Sequence, residues 1–228
     1  MASSSHTENP ANSAPDQHLI SGTERTRWRG LLHAWFTPLA IVLGMVLIVL
    51  AEPSIAEWYS AVFALTAVLL FGVSALYHRG TWGPKRGIWL RRADHANIFL
   101  LIAGTYTPIS LALEPGQRNL LLIIIWIGAL SGALLRIFWP TAPRWLTVSL
   151  YLLLGWGAVM YLPAFYQLNP LLMVLIIAGG LLYTAGAVFY ALKRPNPWPG
   201  VFGFHELFHA GTIAGFLCHW FAILLVVS

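Results

Sequence analysis

The chain has 228 residues, 58% of them hydrophobic and only 9% charged, where an ordinary globular domain has about 25% charged. A chain this apolar cannot hide its surface in a water-soluble globule, and its apolar runs approach the roughly 18 to 20 residues that cross a bilayer. It reads as an all-α, polytopic membrane protein. The single cysteine, Cys218, excludes an intrachain disulfide and a cysteine-based zinc motif. The net charge of +5 comes with no nucleic-acid-binding motif, so no nucleic-acid partner is expected.

Residues 1–30 are rich in Ser, Asn, Pro and Thr and lack apolar periodicity. They read as a disordered cytoplasmic tail carrying the basic cluster Arg25, Arg27 and Arg29. The tail has no apolar core of signal-peptide type, so no cleaved secretory signal is expected.

Residues 31–228 read as a seven-helix transmembrane domain. The apolar segments are about Ala34 to Ala51, Ile55 to His78, Ala93 to Leu113, Leu120 to Trp139, Trp145 to Leu162, Leu171 to Leu192 and Phe204 to Val227. Ser54 is a candidate N-cap for the second, with Glu57 three residues on. The third has a polar start and is the least marked of the seven. Tryptophans such as Trp35, Trp58, Trp139, Trp145 and Trp198 flank the spans, as interfacial anchors do. Gly211 and Gly215, four apart, permit close helix approach in the last segment.

The basic residues alternate between connections. Twelve of the thirteen Lys and Arg residues fall on the side of the N-terminus, and only Arg118 falls on the other, with Glu52, Glu57 and Glu114. The positive-inside rule then predicts a cytoplasmic N-terminus and a C-terminus outside.

With that topology the depths of the polar side chains can be compared. His205 and His209 lie four apart in the first two turns of the last segment, so they share one helix face. His78 closes the second segment at the same side of the membrane, and Ser74 lies one turn deeper. Asp94 and His95 open the third segment. Ionisable groups inside a lipid-spanning bundle are costly and usually functional. Three imidazoles, His78, His205 and His209, match the three protein ligands of a catalytic zinc site with an open position. Asp94 is the candidate for orienting and deprotonating a water there, and Ser74 for hydrogen-bonding that water or a substrate carbonyl.

Some neighbours are expected to stand apart. Single histidines at helix ends, His33 and His95, read as interfacial. His219 lies ten residues beyond His209, roughly 15 Å along a helix, and is too deep for the same site. The stretch H-E-L-F-H matches the zincin pattern H-E-x-x-H, but a zincin needs a soluble fold that this chain lacks. Glu206 lies about 100° round the helix from His205, at the edge of the site or against a neighbouring helix, and is a weaker candidate for a catalytic base.

Three stretches, SALYH (Ser74 to His78), RRADHANIFLLIAGTYTPIS (Arg91 to Ser110) and HELFH (His205 to His209), closely resemble the bacterial hemolysin III family. That family is related to the progestin and adipoQ receptors, including the adiponectin receptors, and more distantly to alkaline ceramidases. The resemblance implies a seven-helix fold in a bacterial inner membrane, with zinc held near the cytoplasmic face by His78, His205 and His209. It also implies Asp94 near the metal-bound water, with Ser74 alongside. A zinc-dependent hydrolase acting on an amide or related bond of a membrane lipid is the leading expectation. A pore-forming cytolysin and a non-catalytic sensor of membrane state with structural zinc are the alternatives. The extracellular hormone-facing features of the animal receptors have no counterpart, so a hormone-receptor role is not expected.

Overall fold

The computed structural model describes residues 26–228; the expected disordered stretch up to Arg25 lies outside the described residues. Among these the protein is helical: α1 (Leu31–Leu50), α2 (Ile55–Arg79), α3 (Pro84–Ile109), α4 (Pro115–Phe138), α5 (Arg144–Gly155), α6 (Leu162–Leu168), α7 (Pro170–Leu192) and α8 (Phe204–Val227). A 3-10 turn, Ser110–Ala112, ends α3, and another, Trp156–Tyr161, joins α5 to α6. No strand forms among the described residues. Six segments are long and apolar enough to cross a membrane: α1, α2, α4, α7, α8 and the α5–α6 pair taken as one.

These segments wear their apolar residues outward as well as inward. On α4, Ile123, Ile124, Ile127 and Leu134 are exposed, while Leu121, Ile125, Ala129 and Gly132 are buried. A helix apolar all round is at home with lipid on one side and protein on the other.

The remaining long helix, α3, carries Lys85, Arg86, Arg91, Arg92 and Asp94 in its first half. It starts at Pro84, well before the expected Ala93, because Pro at the first helical position is pre-organised for a helix. Its second half is almost wholly buried, from Ala96 through Ile109, and it packs against α2, α4, α5 and α8. Close crossing with α2 depends on Gly104, where a Cβ would come within 2.0 Å of the Thr66 hydroxyl. Asn97 adds a hydrogen bond from its side-chain amide to the Leu69 carbonyl at 2.9 Å.

Helix α8 lies against both α1 and α7. Gly211 makes the α7 crossing possible, since a Cβ there would sit 3.0 Å from the Leu182 carbonyl oxygen. This is the close approach that the glycine spacing predicts. At the start of α2, the Ser54 hydroxyl accepts the Ala56 amide hydrogen at 3.2 Å, as an N-cap should.

Two expectations need correction. The fifth apolar segment is a broken helix that runs on to Leu168. Gly155 and Gly157 flank Trp156, and Pro163 opens α6, so the α-helical ladder is interrupted. Broken backbone at membrane depth survives only where protein satisfies it. Tyr106 of α3 does so: its hydroxyl donates to the Gly155 carbonyl at 2.7 Å and accepts from the Ala158 amide at 2.7 Å.

The end of the expected tail is also ordered. Arg27 and Trp28 donate backbone hydrogen bonds to Gly200 and Val201 in the α7–α8 loop, and the Trp28 ring meets Trp35 and Phe202 edge-on. Gly30 then turns into α1 with φ +75°, a conformation that favours glycine.

Candidate metal centre

Two helices bring His78, His205 and His209 together. His205 and His209 project from one face of α8, and His78 from the last turn of α2. All three are buried. Each offers a ring nitrogen, and these nitrogens lie within 4.8 Å of one another. The Nε2 atoms of His78 and His205 are 3.2 Å apart. Imidazole nitrogens about 2.0–2.1 Å from a tetrahedral zinc stand about 3.3 Å from each other, so that pair already has the spacing of two ligands on one ion. Nδ1 of His209 is buried without a hydrogen-bond partner, and buried polar atoms are rarely left so. The donor set fits a metal ion, and the three histidines can hold one.

Asp94 comes from α3, the third helix of the site. Its Oδ2 is 3.6 Å from His78 Nε2 and 3.9 Å from His95 Nδ1, with Ser74 of α2 beside the carboxyl. The expected residues are therefore assembled: three imidazoles, with a carboxylate and a hydroxyl at their margin.

His33 corrects the expectation that it is interfacial. It is 2% exposed and stacks on His209, the ring centroids 3.7 Å apart and the planes 10° from parallel. Phe71 also packs against His33, edge to face. Helix α1 thus supplies a wall of the site, behind a ligand ring. A signal existed in the sequence, because His33 opens the first span at the depth of the other histidines.

His95 is not a simple interfacial residue either. Its Nδ1 donates to the Arg91 carbonyl at 2.7 Å, which leaves Nε2 to accept from the Tyr190 hydroxyl at 3.4 Å. The Tyr151 hydroxyl donates to the His95 carbonyl at 3.1 Å, and Arg144 donates to the Tyr190 carbonyl at 3.0 Å. These bonds tie α5 and α7 to α3 next to Asp94. Nothing in the sequence pattern marks Tyr151 or Tyr190.

Glu206 is engaged by the chain that precedes α8 and by the N-terminal segment. Its carboxylate accepts the Gly203 amide hydrogen at 2.8 Å and the Thr26 hydroxyl hydrogen. It caps α8 and clasps the preceding chain, with both oxygens engaged.

A cavity of about 130 Å³ opens from the cluster. His33, Ser74, Asp94, His205 and His209 line one end. Apolar residues of α3, α5, α7 and α8 line the middle, and Trp156, Tyr183 and His219 line the other end. The broken helix helps form it: Trp156 swings across to α7, where its ring nitrogen donates to the Thr184 hydroxyl at 3.0 Å. His219 is outside the metal cluster, as its depth requires, yet it borders the same cavity.

Fold and site together define a polytopic helical membrane protein with a buried, metal-competent histidine centre at one end of an interior cavity. The chain belongs to the haemolysin-III-related family, which it matches over residues 23–220. It is 32% identical over 165 residues to a hemolysin-3 homolog of Bacillus subtilis, covering 72% of this chain and 74% of that protein. It is 31% identical over 168 residues to hemolysin-3 of Bacillus cereus, covering 73% and 74%. A heptahelical transmembrane protein of Oryza sativa is 30% identical over 188 residues, covering 73% and 81%. The adiponectin receptor protein of Drosophila melanogaster is 26% identical over 207 residues, but the match covers only 46% of its length.

Proposed function

We propose that this protein is a zinc-dependent hydrolase that cleaves an amide or related bond in a membrane lipid. Its chain crosses the cell membrane seven times, α3 included, with the N-terminus cytoplasmic, the C-terminus outside and the zinc site near the cytoplasmic face. The heptahelical name of the Oryza relative and the charge alternation of the connections support that topology. The observation that carries the chemistry is the continuity of three buried, mutually close imidazoles and a carboxylate with a largely apolar cavity.

Zinc held by His78, His205 and His209 supplies Lewis-acid polarisation of a carbonyl and activation of water. The chain's own groups supply the rest. Asp94 Oδ2, beside His78 and Ser74, takes the proton from the attacking water and returns it to the departing amine. The Ser74 hydroxyl orients that carboxyl or the substrate carbonyl. His33, packed flat on His209, fixes the ligand ring. The apolar cavity walls hold the lipid chain and keep bulk water from the reacting bond.

Turnover of ceramide-like and acyl-amide lipids by purified, zinc-loaded protein in detergent, abolished by His205→Ala, is the expected result. Stoichiometric zinc with no turnover on any of these lipids overturns the hydrolase. The name hemolysin-3 borne by the Bacillus relatives favours a second reading, a pore-forming cytolysin. Liposome leakage that persists undiminished in His205→Ala is its signature.

A further inference from the structure

The far end of the cavity holds two polar groups that neither the fold nor the metal centre uses. His219 of α8 points its Nε2 at the Ile176 carbonyl oxygen, 3.2 Å away. A carbonyl only accepts, so Nε2 carries the proton, and in the neutral ring Nδ1 is left as a lone-pair acceptor. That Nδ1 is buried without a partner, and so is the Tyr183 hydroxyl of α7. The two rings adjoin, with centroids 5.4 Å apart, and both line the cavity. A smaller cavity of about 30 Å³ continues past His219, bordered also by Tyr106 and Trp156.

The helix crossing is shaped to admit these rings. A Cβ on Gly179 would come within 2.4 Å of the His219 ring, and one on Gly215 within 2.8 Å of the Tyr183 ring. Each helix gives up a side chain where the other sends a polar ring into the interface. Buried polar atoms left unpaired are costly, so two of them on adjoining rings of a cavity wall call for a ligand.

We propose that His219 and Tyr183 form a second, polar subsite that binds a hydroxyl group on an otherwise apolar chain. A hydroxyl meets both demands: it donates to His219 Nδ1 and accepts from Tyr183. The subsite lies ten residues along α8 from His209, roughly 15 Å, so the hydroxyl it takes is at mid-chain when the ligand's head group is at the metal centre. The apolar character of the ligand and the placement of its head group rest on the proposed function; the hydroxyl requirement comes from these two side chains.

The test is equilibrium binding to the full-length protein in detergent of a long-chain fatty acid with a mid-chain hydroxyl and of the same chain without it. The hydroxylated chain should bind about tenfold tighter, the factor that corresponds to 1.4 kcal/mol. Tyr183→Phe should bind the plain chain as the wild type does and reduce the preference to about twofold or less. Its melting temperature should hold or rise, since the lost hydroxyl has no partner in the protein. Equal affinities in the wild type, as water satisfying the pair would give, overturn the subsite and leave the lipid-binding cavity standing. So does a preference that survives Tyr183→Phe, or a melting temperature that falls sharply in that variant. Failure of both chains to bind overturns the lipid reading of the cavity and the subsite with it.

Discussion

The two ends of the interior cavity are built by opposite means. At the histidine end, α1, α2, α3 and α8 converge, and polar rings face one another: His78, His205, His209 and the stacked His33. At the other end α7 and α8 each contribute a ring with an unpartnered polar atom, Tyr183 and His219, and each ring is seated on a glycine of the facing helix. The first end gathers donors that one cation can satisfy together. The second leaves a donor and an acceptor unpartnered on two adjoining rings. A metal ion and a hydroxyl are the ligands these two arrangements favour, and they should be separable by mutation.

The largest separation should come from His78→Ala. Zinc content of the purified protein should fall from stoichiometric to below about a tenth, because two imidazoles on one helix are too few for a tight site. The hydroxyl preference at the far end should persist. Retained stoichiometric zinc would break the proposed triad. Asp94→Asn should keep the zinc and lower turnover by about 10²- to 10⁴-fold, the usual weight of a general acid–base group; a parallel loss of metal would instead make Asp94 a ligand.

Gly30→Ala should perturb the histidine end through the backbone. It forces an alanine to φ +75° and brings its Cβ within 2.4 Å of His78 Cβ. The left-handed conformation costs about 1–2 kcal/mol and overpacking about 1–3 more, so thermal stability and zinc affinity should drop together. Unchanged zinc affinity at reduced stability would mean that His78 can yield without leaving the site. Gly179→Ala is the smaller, converse case. It should displace the His219 ring at a cost of about 1–3 kcal/mol and remove the hydroxyl preference while zinc stays bound. Loss of zinc in that variant would mean that the two ends are coupled.

What could be read from the residues divides along the same line. His78, Asp94, His205 and His209 were legible because they sit near segment ends, where depth in a membrane can be counted along the chain. Ring stacking cannot be counted that way, so His33 passed for an interfacial histidine. The apolar runs gave the helices, but hydropathy understates α3. A helix covered by α2, α4, α5 and α8 can carry a polar first half. The break at Trp156 depends on a tyrosine fifty residues earlier, Tyr106, whose hydroxyl meets the freed backbone groups. The pairing of Gly179 with His219 likewise needs the α7–α8 crossing before it means anything. Glu206 shows the reverse hazard: a motif position suggested chemistry, and the residue is a helix cap.

The most direct test of the central claim is the metal and its ligands. Zinc analysis and X-ray absorption spectroscopy of the wild-type protein, purified without chelators, should give stoichiometric zinc with three imidazole nitrogens at about 2.0–2.1 Å. Protein that stays folded with no stoichiometric metal after zinc loading, or a zinc shell of oxygen donors alone, would contradict it.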